Sequence, residues 1–257
     1  MRGRIMLRLT EIPLQFPKGE RIHPSMGSIM HGALMELVGS NMAARLHEMS
    51  LRPYSQCVYY DAKRHEALWR LGTLSDVAYA YIVGSLEHCG GEIHLRQKGY
   101  TVGLGVVRNI QSYTYEELIR EVFQVDKVPN GAELFFVTAA SFKHNGQYEI
   151  FPDIRRVFYS ALSRWNQFSP VLPMTQAGVE DMLAEAAYIS RYSLESRSFS
   201  LERKQIQGFY GKVALRFGDN EMAARLMAVL LWFASFSGIG IKTALGMGAV
   251  NVKLLYK

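Results

Sequence analysis

The 257-residue chain is 49% hydrophobic and 20% charged, proportions that suit a folded globular protein and exclude a disordered one. Its formal net charge of +6 and pI near 9.3 favour polyanionic partners without separating RNA, DNA and membrane surface. Only Cys57 and Cys89 are available as thiols, with no C-x-x-C pair, which excludes a disulfide framework and a zinc-finger site. His88, Cys89 and His94 read as turn and strand residues, so no metal and no cofactor is expected. The longest apolar segment, Leu226 to Phe236, is too short to cross a bilayer. The N-terminal residues lack the apolar core of a signal peptide, and the expected location is the cytoplasm, away from membrane.

From Gly3 to Ile12 the residues Ile5, Leu7 and Leu9 alternate with Arg4, Met6 and Arg8, which predicts a half-buried strand ended by Pro13 and Pro17. Pro24 to Glu48 has helical spacing through Ile29, Ala33, Leu34, Leu37 and Val38, with Ser25 as the expected cap and a break at Gly39-Ser40-Asn41. That break bears on chemistry, because His31 and His47 are sixteen residues apart. On one straight helix they would stand about 24 Å apart and about 160° around the axis. A turn at Gly39 is what can bring them together. Two strands, Ser55 to Asp61 and Glu66 to Thr73, a helix from Ser75 to Glu87, and strands over Glu92 to Gln97 and Tyr100 to Asn109 follow. This order is that of a βαββαβ, ferredoxin-like unit. Tyr113 to Phe123 forms a bridge, and Val128-Pro129-Asn130-Gly131 is the expected linker.

The second half repeats the plan by element order rather than by sequence. A strand is predicted over Ala132 to Lys143, a helix over Asp153 to Gln167, a short helix at Met182 to Ala186, and strands over Ala187 to Phe199 and Gln205 to Phe217. In the last of these, Phe209, Val213, Leu215 and Phe217 face one way and Tyr210, Lys212 and Arg216 the other. Asn220 caps a helix to Phe236 whose stripe includes Met222, Leu226, Val229, Leu230 and Phe233. The fold class expected is therefore α+β, with two tandem ferredoxin-like (RRM-like) domains spanning 1–127 and 131–257.

Between that helix and the terminal strand lies Gly238-Ile239-Gly240-Ile241-Lys242-Thr243-Ala244-Leu245-Gly246-Met247-Gly248. Four glycines in eleven residues imply positive φ or close approach by another backbone. Lys242, Thr243 and successive N–H groups can cradle phosphate oxygens, while a tight helix-to-strand turn is the plainer reading. The spacing is neither the dinucleotide fingerprint nor a Walker loop.

This loop, the strand Ile206-Gln207-Gly208-Phe209-Tyr210-Gly211-Lys212-Val213 and the pair Leu46-His47 resemble the RAMP superfamily, and within it the CRISPR repeat-processing endoribonucleases. The resemblance covers essentially the whole chain. It implies metal-independent cleavage of precursor guide RNA within its repeats, by attack of a 2′-hydroxyl on the adjacent phosphate, leaving 2′,3′-cyclic phosphate and 5′-hydroxyl ends. It implies His31 and His47 as the acid–base pair and Arg52, in place of the family's lysine, as the cation at the phosphate, with Tyr54 a subsidiary candidate. RNA contacts are expected from Arg191, Arg197, Arg203, Lys204 and Lys212 and from the loop residues Gly238, Gly240, Lys242, Thr243, Gly246 and Gly248. Implied partners are the CRISPR repeat RNA, other CRISPR effector subunits and a second copy of the chain in a homodimer.

Each residue also has a plainer role. A helix His beside Gly32 can serve close packing, His47 at a helix C-terminus can be a dipole partner, and strand cations can be a solvated face. Two other functions fit the same fold: a non-cleaving RNA-binding subunit of a CRISPR effector complex, and an enzyme acting on a small phosphorylated ligand.

Overall fold

A computed structural model describes residues 5–201 and 204–257. Gly3 and Arg4 of the first predicted strand, and Arg203 among the predicted RNA contacts, lie outside the described residues.

The first half comprises β1 (Met6–Gln15), a single 3-10 turn at Pro24–Met26, α1 (Gly27–Leu37), α2 (Ser40–Glu48), β2 (Tyr54–Asp61), β3 (Glu66–Thr73), α3 (Asp76–Glu87), β4 (Glu92–Leu95), β5 (Tyr100–Leu104), β6 (Arg108–Thr114) and α4 (Tyr115–Phe123). Its antiparallel sheet runs β2-β3-β1-β5-β4, with β6 also pairing β1. The second half comprises β7 (Pro129–Ala140), β8 (Phe142–His144), β9 (Gln147–Glu149), α5 (Ile154–Phe168), α6 (Val179–Glu185), β10 (Ala187–Leu201), β11 (Lys204–Phe217), α7 (Glu221–Ser237) and β12 (Val250–Tyr256). Its main sheet runs β10-β11-β7-β12. In each sheet the first strand of the unit lies inside, between the third and a later strand. The protein is thus α+β with two ferredoxin-like domains.

Local chemistry explains most boundaries. Ser75, Asp153 and Asn220 accept backbone N–H bonds as the N-caps of α3, α5 and α7, and Thr114 with Glu117 closes a full capping box at α4. Four expectations are corrected. Ser25 caps no helix: the His23 side chain accepts from Ser25 N–H, while the Ser25 hydroxyl accepts from the Ser200 N–H at 3.1 Å. The expected strand Tyr100 to Asn109 is two strands, of which β6 returns along β1 through a bulge at Leu9/Thr10. The expected linker is the start of β7, where Gly131 pairs with both Arg216 and Leu255. Met222, placed on the apolar stripe of α7, is exposed.

The two domains share a core. Leu7 and Leu9 of β1, Leu74, and Tyr115, Leu118 and Val122 of α4 pack in one cluster with Phe136, Trp165, Phe209, Phe233 and Phe236. Ile12 and Leu14, beyond the bulge in β1, belong instead to the cluster beneath α1 and α3. One strand therefore serves both cores. On the sheet side, Glu11 is buried against Tyr59 and accepts from Arg64 at 2.8 Å and Arg70 at 3.0 Å, and Arg70 reaches Asn251 of β12.

The glycine-rich loop lies at the junction. Ile239 N–H donates to Gly248 O, Ile241 N–H to Ser141 O and Gly248 N–H to Ala139 O, which folds the loop onto the end of β7. A Cβ on Gly248, where φ is +67°, would stand 1.9 Å from Ile239 O; one on Gly240 (φ +90°) would stand 2.5 Å from Ser141 O. Gly246 meets Gly27 at the start of α1 with similar closeness. We expect Gly248→Ala to destabilise the protein by about 3 kcal/mol, from positive φ and a backbone clash together. Gly32, exposed on α1 with open space at its Cβ, should instead gain roughly 0.5–1 kcal/mol on substitution by Ala. Urea denaturation of the two variants checks the contrast, and equal midpoints would show that the loop tolerates a side chain.

Candidate active site

The break in the helical hairpin decides the geometry. Gly39, at φ +82°, separates α1 from α2 and turns the second helix back toward the first. The His31 and His47 rings consequently stand 6.3 Å apart at 84°. His31 is 6% exposed, whereas His47 is exposed, so one imidazole is embedded and the other faces solvent. The neighbour of His31, Gly32, by contrast faces open space.

Tyr54, at the start of β2, lies parallel to the His31 ring at 6.2 Å, and its hydroxyl is 3.0 Å from Nδ1. Nε2, also buried, has no hydrogen-bond partner among the described residues. Arg52 is near enough for its charge to act on both rings, and its Nε donates to Leu46 O in α2. Burial pushes His31 down to about 4, reinforced by the charges of Arg52 and His47, and burial raises the Tyr54 phenol. The embedded imidazole is therefore neutral near pH 7, with one nitrogen tied and the other buried without a partner among the described residues.

Arg52 also lines a cleft of about 570 Å³ between the domains. Its far wall is α5, with Arg156, Tyr159, Ser160, Ser163 and Arg164, and its floor is the loop from Gly240 to Ala244. The glycines expected to touch RNA are themselves buried. The close approach they permit is to the protein's own backbone, and of the loop residues expected to contact RNA only Lys242, held at φ +57°, is exposed. Thr243 is buried and accepts from Arg164. Lys204 shares a second hollow with Lys143 and Lys242. Arg191 and Lys212 line a separate depression on the second sheet. Arg191 is paired there with Glu133, and Arg197 stacks on Tyr210 at 3.7 Å. The expected basic surface is thus split in two.

Sequence reasoning missed Lys143, Arg156, Tyr159 and Arg164. Arg156, Ser160 and Arg164 recur every four residues on α5, a polar stripe beside the apolar one, and that period was the available signal. His88, Cys89 and His94 go separately to Gly84 O, Leu86 O and Thr101.

A two-domain ferredoxin-like protein with a glycine-rich loop at the domain junction and a histidine pair on the first helical hairpin has the make-up of the RAMP superfamily. Residues 134–250 match the model of the CRISPR-associated endoribonuclease Cas6 family. Curated Cas6 endoribonucleases from Mycobacterium tuberculosis and Streptococcus thermophilus are each 28% identical; the alignments cover 90% and 87% of this chain and 73% and 89% of theirs. Among solved structures, a Thermus thermophilus Cas6 superposes with a TM-score of 0.75 at 22% identity, over 98% of this chain and 100% of that one. A Cas6 product complex gives 0.80 at 23%, over 96% and 99%. The chain is thus similar to Cas6 endoribonucleases over most of its length, with the family match itself falling on residues 134–250.

The buried histidine has a consequence for stability. Its folded value of about 4 lies below the ordinary 6.5, so the folded state binds fewer protons than the unfolded one between those values. His31 costs no stability above pH 6.5 and progressively more as pH falls toward 4, by roughly 3 kcal/mol in all. Unfolding free energies of the native protein and His31→Gln at pH 7.5 and 4.5 should differ in this sense, with the variant losing less on acidification. Equal losses would place His31 in contact with solvent.

Proposed function

We propose that the protein cuts CRISPR precursor RNA within its repeats by a metal-independent transesterification. The observation that carries this reading is the convergence of an embedded neutral histidine and an exposed one at 6.3 Å, close enough to act on one phosphodiester. His31 is the base. With Nδ1–H donated to Tyr54, Nε2 holds a lone pair that takes the proton of the 2′-hydroxyl as its oxygen attacks phosphorus. His47 supplies the proton to the departing 5′-oxygen as the P–O5′ bond breaks. The products are a 2′,3′-cyclic phosphate and a 5′-hydroxyl. Arg52 stabilises the charge that accumulates on the phosphorane oxygens.

RNA would then lie along the cleft, with phosphates on Lys242, Lys204 and Lys143, while Arg191, Arg197 and Lys212 meet flanking RNA on the outer sheet. In support, structural relatives are described as Cas6 product and substrate-mimic complexes.

The test is cleavage of repeat RNA from the host's own array in EDTA, beside RNA with a 2′-deoxy residue at the scissile position. We expect cutting of the first and none of the second, and a loss of about 100- to 10,000-fold in rate for His31→Ala with RNA affinity retained. Dependence on added metal, or cutting of the deoxy substrate, would overturn the mechanism. Tight binding of repeat RNA without any cutting by the native protein would assign it instead as a non-catalytic RNA-binding subunit.

A further inference from the structure

The interdomain cleft contains more than the proposed mechanism uses. Among the described residues no carboxylate lines it, whereas Arg52, Lys143, Arg156, Arg164 and Lys242 all do. Arg156 is neutralised by Glu149 at 2.5 Å, but the deepest cation is not. Arg164 is 7% exposed and spends its terminal donors on neutral acceptors: Ser160 O and Oγ at 3.0 and 2.7 Å, Gly240 O at 2.9 Å and Thr243 Oγ1 at 3.3 Å. Among the described residues no carboxylate forms an ion pair with it. Burial lowers it to about 10, so it stays charged at neutral pH. A buried cation without a counter-charge is costly unless an anion completes the site.

Beside this charge stands an aromatic surface. Tyr159, one helical turn before Ser163 on α5, lines the same cleft yet is 59% exposed. A large ring left in water on the wall of a positively charged hollow is what base stacking uses. The hollow is also the right size class for a small-molecule site. We infer that the cleft is a single-nucleotide subsite, in which Tyr159 stacks one unpaired base of the RNA while Arg164 and Lys242 supply the field that holds its phosphate. The inference rests on the proposed RNA-cleaving role and names a residue that selects the substrate's shape: one nucleotide near the cut must leave its stack. Arg164 acts chiefly by positioning, since its fork fixes Gly240 and Thr243, whereas Tyr159 touches the base directly.

The experiment is an abasic scan. Repeat RNAs, each lacking one base, are measured for affinity against the full-length native protein, Tyr159→Ala and Tyr159→Phe in EDTA. One position should weaken binding to the native protein by roughly 5- to 100-fold, the span of base–aromatic stacking. Tyr159→Ala should bind intact RNA more weakly by a similar factor and be insensitive to loss of that base, while Tyr159→Phe keeps the native profile. Because Tyr159 is exposed, neither substitution disturbs the core, and thermal melts provide the control. An abasic profile unchanged by Tyr159→Ala would overturn the subsite while leaving RNA cleavage intact. Failure of the native protein to bind any repeat RNA would overturn both readings.

Discussion

Backbone meeting backbone at the loop Gly238–Gly248 is the constraint from which the rest of the molecule follows. Its glycines have no side chain to keep Ile239, Ser141 and Gly27 at ordinary distance, and the hydrogen bonds made across these contacts are main-chain bonds that no substitution can replace. Gln56 of β2 ties the same junction from the other domain, donating to Gly27 O at 2.6 Å and Ala244 O at 3.1 Å while accepting from Trp69. Gly27 begins α1, and His31 follows one turn later. The loop therefore acts on the proposed chemistry indirectly: it fixes the start of the helix that carries the base.

A continuous apolar core makes that placement rigid. α7 packs its buried side chains against both halves, and Ser55 of β2 donates to the carbonyl of Phe236 at 2.6 Å where the helix ends. On the opposite side the Glu11 carboxylate is pushed up by burial but held below the usual range by Tyr59, Arg70 and Arg64, so it stays ionised and holds Arg70, which in turn donates to Asn251 of the second sheet. Hinge motion between the domains would have to break both an apolar cluster and a charged network.

Much of this was legible in the sequence because it depends on periodicity and caps. The element order, the Asn220 cap and the break at Gly39 all rest on local chemistry; Gly39 allowed His31 and His47 to meet, while their pairing as acid and base came from the family resemblance. What was not legible depends on long-range pairing. β6 has a mostly polar sequence and becomes a strand because β1 offers it an edge; Pro129-Asn130-Gly131 looks like a linker until Leu215 and β12 close around it. Ser25 has the composition of a cap but is spent on Ser200. The four glycines were correctly read as a point of close approach, but what approaches them is the protein's own chain, an identity that only the packing supplies.

The cleft shows the same division most clearly. Arg156 and Arg164 lie on a helix whose apolar residues dominate any pattern, so the sequence did not single them out; in the fold one is paired and the other is buried with no ion pair among the described residues. Arg164 grips the loop that seats α1 and, through its charge, makes the adjacent hollow attractive to phosphate. The loop that seats α1 and the positively charged hollow beside it are therefore joined by a single guanidinium. On the proposed function, this ties RNA held in the cleft to the placement of His31, and gives the second domain a part in a reaction whose acid–base residues lie in the first.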